Sequence, residues 1–334
     1  MPLSSKTAQT NVQNHFRPGR QADRRINRRI LLKGVGGLAV ASFVGGGAVV
    51  AGSAPAQAAL NVAQHEDGGR MQYYKLVTPS IGWLPRVNVL LPDGYDATRR
   101  YPVLYLLHGG GEDYSTFDTK YDIRNHTAGR DLIVVMPDGG AAGWYCDPES
   151  SNVGPRNWET FHVDELIPWV DATFSTIAQP AGRAVSGFSM GGFGALKYAA
   201  KHPELFGSVS CHSGPADLRI RDGAVVHWAN FTAGATDLKG GTIYGIPWDQ
   251  ARVSADNPVE HVESYRGKRI FLVSGTESDR YESVVLPSQR SFEKALDGAG
   301  IGYERYEDTG THIVRWGRMQ QDIDSMLNFL TKAG

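Results

Sequence analysis

Apolar residues recur with a period of two in two neighbouring stretches of the chain. Tyr74 and Leu76 mark residues 71–78, and Val87, Val89 and Leu91 mark residues 83–91. Alternation of this kind predicts two strands with one face on a core. Pro92-Asp93-Gly94-Tyr95 follows the second as a turn. The pattern then changes. Val103-Leu104-Tyr105-Leu106-Leu107 and Leu132-Ile133-Val134-Val135-Met136 are apolar throughout, as strands of a sheet covered on both faces must be. Ala184-Val185 belong to a further strand and Val209-Ser210 to the next, and the spacing predicts strands over 269–275 and 302–307. Helical patterns cover about 159–174, 286–297 and 315–331. Strands alternating with helices predict an α/β domain with a mostly parallel, doubly covered sheet. Residues 214–267 break the rhythm. They carry Gly, Pro, Trp and Asn without a clear period, and predict an irregular, lid-like insertion or substrate loop.

Candidate chemistry appears directly after Ala184-Val185. Gly187-Phe188-Ser189-Met190-Gly191-Gly192 is a G-x-S-x-G pattern between a strand and a helix rich in small residues. That context predicts a nucleophile elbow, in which a sharp turn exposes the serine hydroxyl at the top of the sheet. Glycine lets the strand and helix crowd together there. The same turn aims the Met190 N–H at the oxygen of a bound acyl group.

A serine hydroxyl is a poor nucleophile until a base takes its proton, and the base needs an orienting carboxylate. With this elbow the chain order is serine, acid, histidine. His312, in Gly310-Thr311-His312, lies just past the last predicted strand and is the expected base. The acid should follow the strand ending at Gly275, where Glu277, Asp279 and Glu282 all qualify by position. Spacing does not choose among them, and at least two of the three are expected to be ordinary solvated charges. His108-Gly109-Gly110-Gly111 follows the strand where the second half of an oxyanion hole belongs. Gly110 N–H and Met190 N–H form the expected pair.

Composition changes the picture at the N-terminus. Asn27-Arg28-Arg29-Ile30-Leu31-Leu32-Lys33 reads as a twin-arginine signal, followed by an uncharged Gly/Ala/Val run from Gly34 to Ala54 and the small-residue site Ala56-Gln57-Ala58. Residues 1–58 are therefore expected to be a Tat export signal, and residues 59–334 one catalytic domain. The leader holds eight of the chain's 34 Lys/Arg and one of its 35 Asp/Glu, so the remainder is net −8. An acidic surface argues against nucleic acid and anionic membranes, and no stable membrane insertion is expected after cleavage. Cys146 and Cys211 are the only cysteines. One disulfide is permitted in an exported chain, but the pairing stays open. No metal-type Cys/His spacing is present, and no cofactor is expected.

Together these residues resemble the esterase family that includes the esterase D-type hydrolases and the mycobacterial mycolyltransferases of the antigen 85 complex. The resemblance runs from about Tyr73 to Leu330. It is carried by Tyr101-Pro-Val-Leu-Tyr-Leu-Leu-His-Gly-Gly-Gly, Val135-Met-Pro-Asp-Gly-Gly, Trp158-Glu-Thr-Phe, Gly187-Phe-Ser-Met-Gly-Gly, Asp256-Asn-Pro and Gly310-Thr-His. It implies the α/β-hydrolase fold. In the mycolyltransferase-like branch the catalytic glutamate lies ten residues before a phenylalanine of the next helix, as Glu282 does before Phe292. In esterase D-type members the acid is an aspartate closer to the strand, which would favour Asp279. The resemblance thus ranks Glu282 first and Asp279 second. The mycolyltransferases hold trehalose with an aspartate and an arginine at positions that look like His108 and Gly111 here, and their tryptophan after the catalytic histidine is replaced by Ile313-Val314. The resemblance therefore bears on fold and machinery more than on substrate.

The expected activity is that of a secreted serine carboxylesterase acting through an acyl-enzyme on a small-molecule, carbohydrate or lipid ester. The alternatives are acyl transfer to a sugar or glycolipid acceptor, and a non-catalytic cell-surface binding protein. Trp228, Phe231, Tyr244 and Trp248 are candidates either to line a sugar or aryl pocket or to form the core of the lid.

Overall fold

The computed structural model describes residues 60–333. The expected leader, with its cleavage site after Ala58, lies outside the described residues. Among those described, nine strands form one sheet: β1 (Asn61–Gly68), β2 (Met71–Val77), β3 (Arg86–Leu90), β4 (Val103–Leu107), β5 (Ile133–Pro137), β6 (Arg183–Phe188), β7 (Ser208–His212), β8 (Arg269–Gly275) and β9 (Glu304–Asp308). Their order is β1-β2-β3-β5-β4-β6-β7-β8-β9. β1, β2, β3 and β5 are antiparallel neighbours, and every pair from β5 to β9 is parallel. β4, β5, β6, β7 and β8 are buried along their whole length, which is what their unbroken apolar or small-residue runs predict.

Helices cover both faces. In chain order they are α1 (Thr116–Thr119), α2 (Ile123–His126), α3 (Trp158–Thr160), α4 (Ile167–Thr173), α5 (Met190–Lys201), α6 (Ile220–Ala235), α7 (Gln250–Asp256), α8 (Glu282–Ala299) and α9 (Trp316–Ala333). One core packs Trp158, Phe161, Phe193, Leu196, Tyr265 and Phe292 on one side of the sheet. The other packs Phe117 and Ile123 with Met319, Ile323, Met326 and Leu330 of α9. Those four recur at helical spacing and are at most 3% exposed, so each contributes about 1.5–3 kcal/mol relative to exposure.

Two expectations need correction, and one strand was not foreseen. Residues 214–267 are not an irregular insertion: they hold α6, α7 and a 3-10 segment, Pro258–Tyr265. Glycines 223 and 234, Pro258 and the kink at Arg221–Gly223 mask the helical period. β1 has no apolar alternation and is exposed at every position. Its backbone ladder to β2 alone makes it a strand. The helix over 159–174 is not uniform, because a π-helical segment, Phe161–Leu166, separates α3 from α4. Pro168 sits in the first turn of α4 and has no N–H to donate back into that segment.

Strand pairing builds the site. β4 and β6 are direct neighbours with Leu107 opposite Gly187, so the loop after β4 meets the elbow after β6. β8 and β9 lie parallel beyond β7, so their C-terminal loops reach the same edge of the sheet, where open α/β sheets place their ligands. No helix among the described residues is long and apolar enough to cross a membrane.

Candidate active site

Ser189 stands at φ 56°, ψ −118° between β6 and α5. A non-glycine residue held there costs about 1–3 kcal/mol and persists only when its surroundings impose it. The flanking glycines do so. A Cβ on Gly187 would lie 2.3 Å from the Gly191 backbone, and one on Gly191 would lie 2.1 Å from the Leu107 carbonyl oxygen. Ser189 N–H donates to His212 O at 2.8 Å, tying the turn to β7.

The β9 loop brings His312 to the serine. His312 Nε2 is 2.8 Å from Ser189 Oγ, and its Nδ1 is 3.2 Å from Glu282 Oε1. Glu282 is the first residue of α8 and is 2% exposed. A helix N-terminus favours a carboxylate there. Its second oxygen, Oε2, is buried without a hydrogen-bond partner among the described residues.

Asp279 does not touch the imidazole, nor is it the solvated charge expected of a residue that is not the acid. Its Oδ1 accepts Tyr281 N–H at 2.8 Å and Glu282 N–H at 2.7 Å, and its Oδ2 accepts His312 N–H at 2.9 Å. Burial pushes its carboxyl up, but the three backbone donors, His312's first, outweigh that and hold it below the usual carboxylate range. Glu277 is exposed, as expected of a loop charge.

The glycine loop after β4 leaves one amide over. Gly109 N–H donates to Glu112 Oε2 at 3.0 Å, and Gly111 N–H donates to Ala141 O at 2.7 Å. Gly110 N–H has no acceptor among the described residues and lines the same cleft as Met190. Met190 begins α5, where a backbone N–H has no intrahelical partner. His108 clamps this loop from below. It is 1% exposed, its Nε2 accepts Gly139 N–H at 2.9 Å, and its Nδ1 lies 2.9 Å from Gly109 O. An accepting Nε2 requires the tautomer in which Nδ1 donates. Tyr145 O–H donates to His108 O at 2.9 Å.

These groups border a cleft of about 190 Å³ with an aromatic wall. Trp228 meets Trp144 edge-on at 5.2 Å and stacks on Tyr281 at 5.2 Å. Tyr281 and Phe188 flank the His312 ring at 5.0 and 4.9 Å. Of the four aromatic candidates only Trp228 reaches the cleft. Phe231 points to solvent at 76% exposure, Tyr244 is buried, and Trp248 packs against His227. Sequence reasoning missed Glu112, Trp144 and Tyr281. Glu112 immediately follows the glycine run and Tyr281 immediately precedes Glu282, which are the local signals that point to them.

Cys146 and Cys211 are both free and buried. Burial pushes each thiol up to about 12, so both stay protonated and unreactive near neutrality.

The model of the Esterase family, described as "Putative esterase", matches residues 78–330. Esterase Rv1288 of Mycobacterium tuberculosis is 56% identical over 283 residues, covering 81% of this chain and 62% of that protein. The chain therefore spans less than two thirds of that relative. The MPT51/MPB51 antigen of M. tuberculosis is 28% identical over 82% of this chain and 85% of its own length. Among solved structures, an S-formylglutathione hydrolase from Agrobacterium tumefaciens superposes with a TM-score of 0.65 at 20% identity, over 81% of this chain and 99% of that one. M. tuberculosis MPT51 superposes at 0.63 and 23% identity, over 80% and 98%. These likenesses confirm the fold, and with the match over 78–330 they establish that this chain is a member of the Esterase family of α/β-hydrolases.

Proposed function

We propose that the chain is an exported serine carboxylesterase in which Ser189 is the nucleophile, His312 the general base and acid, and Glu282 the orienting carboxylate. The observation that carries this reading is the continuous contact from Ser189 Oγ through both ring nitrogens of His312 to Glu282 Oε1. Ser189 attacks an ester carbonyl and passes its proton to His312 Nε2. Glu282 fixes the ring through Nδ1–H and balances the imidazolium. Gly110 and Met190 N–H groups hold the oxyanion, because both line the cleft beside Ser189 and have no acceptor among the described residues. His312 then protonates the departing alcohol, and water activated by the same imidazole releases the acid.

Cleft size bears on the acyl group. About 190 Å³ is below the ~300–1,000 Å³ of pockets that enclose drug-sized ligands. A short or aryl acyl group fits against Trp228 and Tyr281; a long chain would lie outside. Acyl transfer to an alcohol is the second reading. It is favoured by 27% identity over 92% of this chain to a protein named diacylglycerol acyltransferase/mycolyltransferase Ag85A from Mycobacterium ulcerans.

A fluorophosphonate probe tests the nucleophile, since only an activated serine reacts. Labelling of the chain and its loss in Ser189→Ala are expected; equal labelling of both would sink the assignment. An ester panel with and without sugar acceptors then separates hydrolysis from transfer. Export rests on Arg28-Arg29. Changing both to Lys should retain the precursor in the cytoplasm, and unimpaired secretion of that variant would exclude the Tat route.

A further inference from the structure

Outside the cleft, several charged groups of the described surface form pairs, as in Arg99–Asp131, Arg124–Asp118, Arg219–Glu260 and Arg290–Glu307. One concavity gathers two cations without an ion-pair partner. It measures about 300 Å³ and is lined by Gln64 and Glu66 of β1, Tyr73 and Lys75 of β2, Arg86 and Asn88 of β3, and Tyr114 from the segment after the glycine loop. Among the described residues, Glu66, Lys75 and Arg86 have no ion-pair partner. The side chains of Gln64 and Asn88 have no hydrogen-bond partner either. Asn88 is 2% exposed and lines the groove. Arg86 donates only to Tyr114 O–H, and its guanidinium lies over that ring.

Strand register makes these residues a flat array. Lys75 pairs with Gln64 and Arg86, and Tyr73 pairs with Glu66 and Asn88. The two rows are two residues apart and share one face of the sheet. Three strands at about 4.8 Å spacing, with rows about 7 Å apart, give a platform of roughly 10 by 7 Å. That is the footprint of one or two pyranose rings. Tyr73 and Tyr114 offer ring faces, the two amides offer both donors and acceptors, and Glu66 accepts hydroxyls. Lys75 and Arg86 outnumber Glu66, so the platform is cationic in a chain whose residues beyond 58 are net −8.

We propose that this groove binds an acidic saccharide unit, with Lys75 and Arg86 facing its anionic group and Asn88, Gln64 and Glu66 its hydroxyls. Its position gives the site a use. Arg86 O accepts Asp138 N–H at 2.9 Å, which places this end of β3 at the C-terminal edge of β5. Tyr114 also lies only a few residues beyond the oxyanion loop. The groove therefore opens on the active-site side of the sheet, where it would hold the polymer part of an esterified acidic glycan. Only that consequence rests on the esterase reading. Binding is measured without an ester, so the failure of either leaves the other standing.

The test is calorimetric titration of the chain with trigalacturonate, and with maltotriose as its neutral counterpart. Trigalacturonate should bind with a Kd on the order of 1 mM or tighter, and maltotriose at least about tenfold more weakly. Raising NaCl from about 50 to about 500 mM should weaken trigalacturonate binding, because exposed charges are screened. The Lys75→Ala/Arg86→Ala double variant should lose at least about tenfold in affinity while melting within about 2 °C of the parent. Glucose 6-phosphate replaces trigalacturonate in a further arm. Whichever of the two binds tighter names the anionic group as phosphate or carboxylate. Equal affinity for maltotriose, unchanged binding by the double variant, or no binding of either acidic ligand at about 10 mM would each overturn the proposal.

Discussion

Two sets of serine, histidine and carboxylate lie close together in this molecule, and they are wired differently. At the cleft the histidine is in the middle: Ser189 Oγ and Glu282 Oε1 contact opposite nitrogens of His312. Three residues earlier on β6, Ser186 belongs to the other set, in which the carboxylate is in the middle. Asp322 of α9 accepts from Ser186 Oγ at 3.2 Å and Ser210 Oγ at 2.6 Å. It also contacts His212 Nε2 at 2.9 Å and Arg269 at 2.7 Å. His212 Nδ1 is buried with no partner among the described residues, so this imidazole hydrogen-bonds to no serine. The same residue types thus give a serine–histidine–carboxylate chain of contacts in one place and a buried ionic anchor in the other. Order of contact and access to a cleft separate them.

The largest effect expected from breaking this comparison is on the cleft side. Ser189→Ala should lower kcat/KM at least about 10³-fold with the melting temperature unchanged. Ser210→Ala should do the reverse. Activity per folded molecule stays, and stability falls by about 1.5–3 kcal/mol, the worth of a hydrogen bond to a charged group. Unfolding curves and kinetics on the two variants decide it; a slow but fully stable Ser210→Ala would erase the distinction.

Glu282→Gln should cost about 10²–10⁴-fold in kcat/KM, less than loss of the serine. Its counterpart, Asp322→Asn, removes the buried partner of Arg269 and leaves it the more exposed Glu304; it should cost up to about 3–5 kcal/mol of stability. The pH dependence has a definite sign. Burial pushes the Asp322 carboxyl up, but Arg269 and then His212 outweigh it and hold the value at about 2, against an ordinary 3.8. A depressed carboxyl contributes stability above its unfolded value that is lost as pH falls through the folded one, here between about 4 and 2, worth roughly 2 kcal/mol. That acid-side slope should shrink in Asp322→Asn. An unchanged slope, measured by urea unfolding from pH 5 to 2, would remove Asp322 as its source.

What could be read from sequence follows the same division. The elbow was legible because Gly187-Phe188-Ser189-Met190-Gly191 is contiguous and strand pairing imposes its shape. The central strands were legible because burial on both faces demands unbroken apolar or small runs. β1 was not, since its exposed residues carry no period, and α6 was hidden by glycine and a kink. The anchor at Asp322 was invisible for a different reason. It joins β6, β7, β8 and α9 across 136 residues, and each member alone looks like an ordinary strand or helix residue. Glu282 and Asp279 were indistinguishable by spacing, because they lie three residues apart around the start of α8 and only the local conformation says which carboxylate meets the imidazole.

Asp279 carries the smallest and sharpest prediction. Its two oxygens hold both loops of the cleft set, Oδ1 the start of α8 at Tyr281 and Glu282, and Oδ2 the backbone of His312. An asparagine has one oxygen for these two duties, so its amide nitrogen must face a backbone N–H on one side. One charge-assisted bond is worth about 1.5–3 kcal/mol. If that loss falls on the transition state, kcat drops by about 10- to 150-fold. Because Asp279 touches no reacting atom, KM should change less than about twofold. Glu277→Gln, two positions away and exposed, should behave like the parent. Fluorophosphonate titration counts the folded sites, so a fall in rate per titrated site separates misalignment from unfolding. Parent-like kcat per site in Asp279→Asn would show that the loops hold His312 without it. A loss as deep as that of Glu282→Gln, with the latter healthy, would make Asp279 the acid instead.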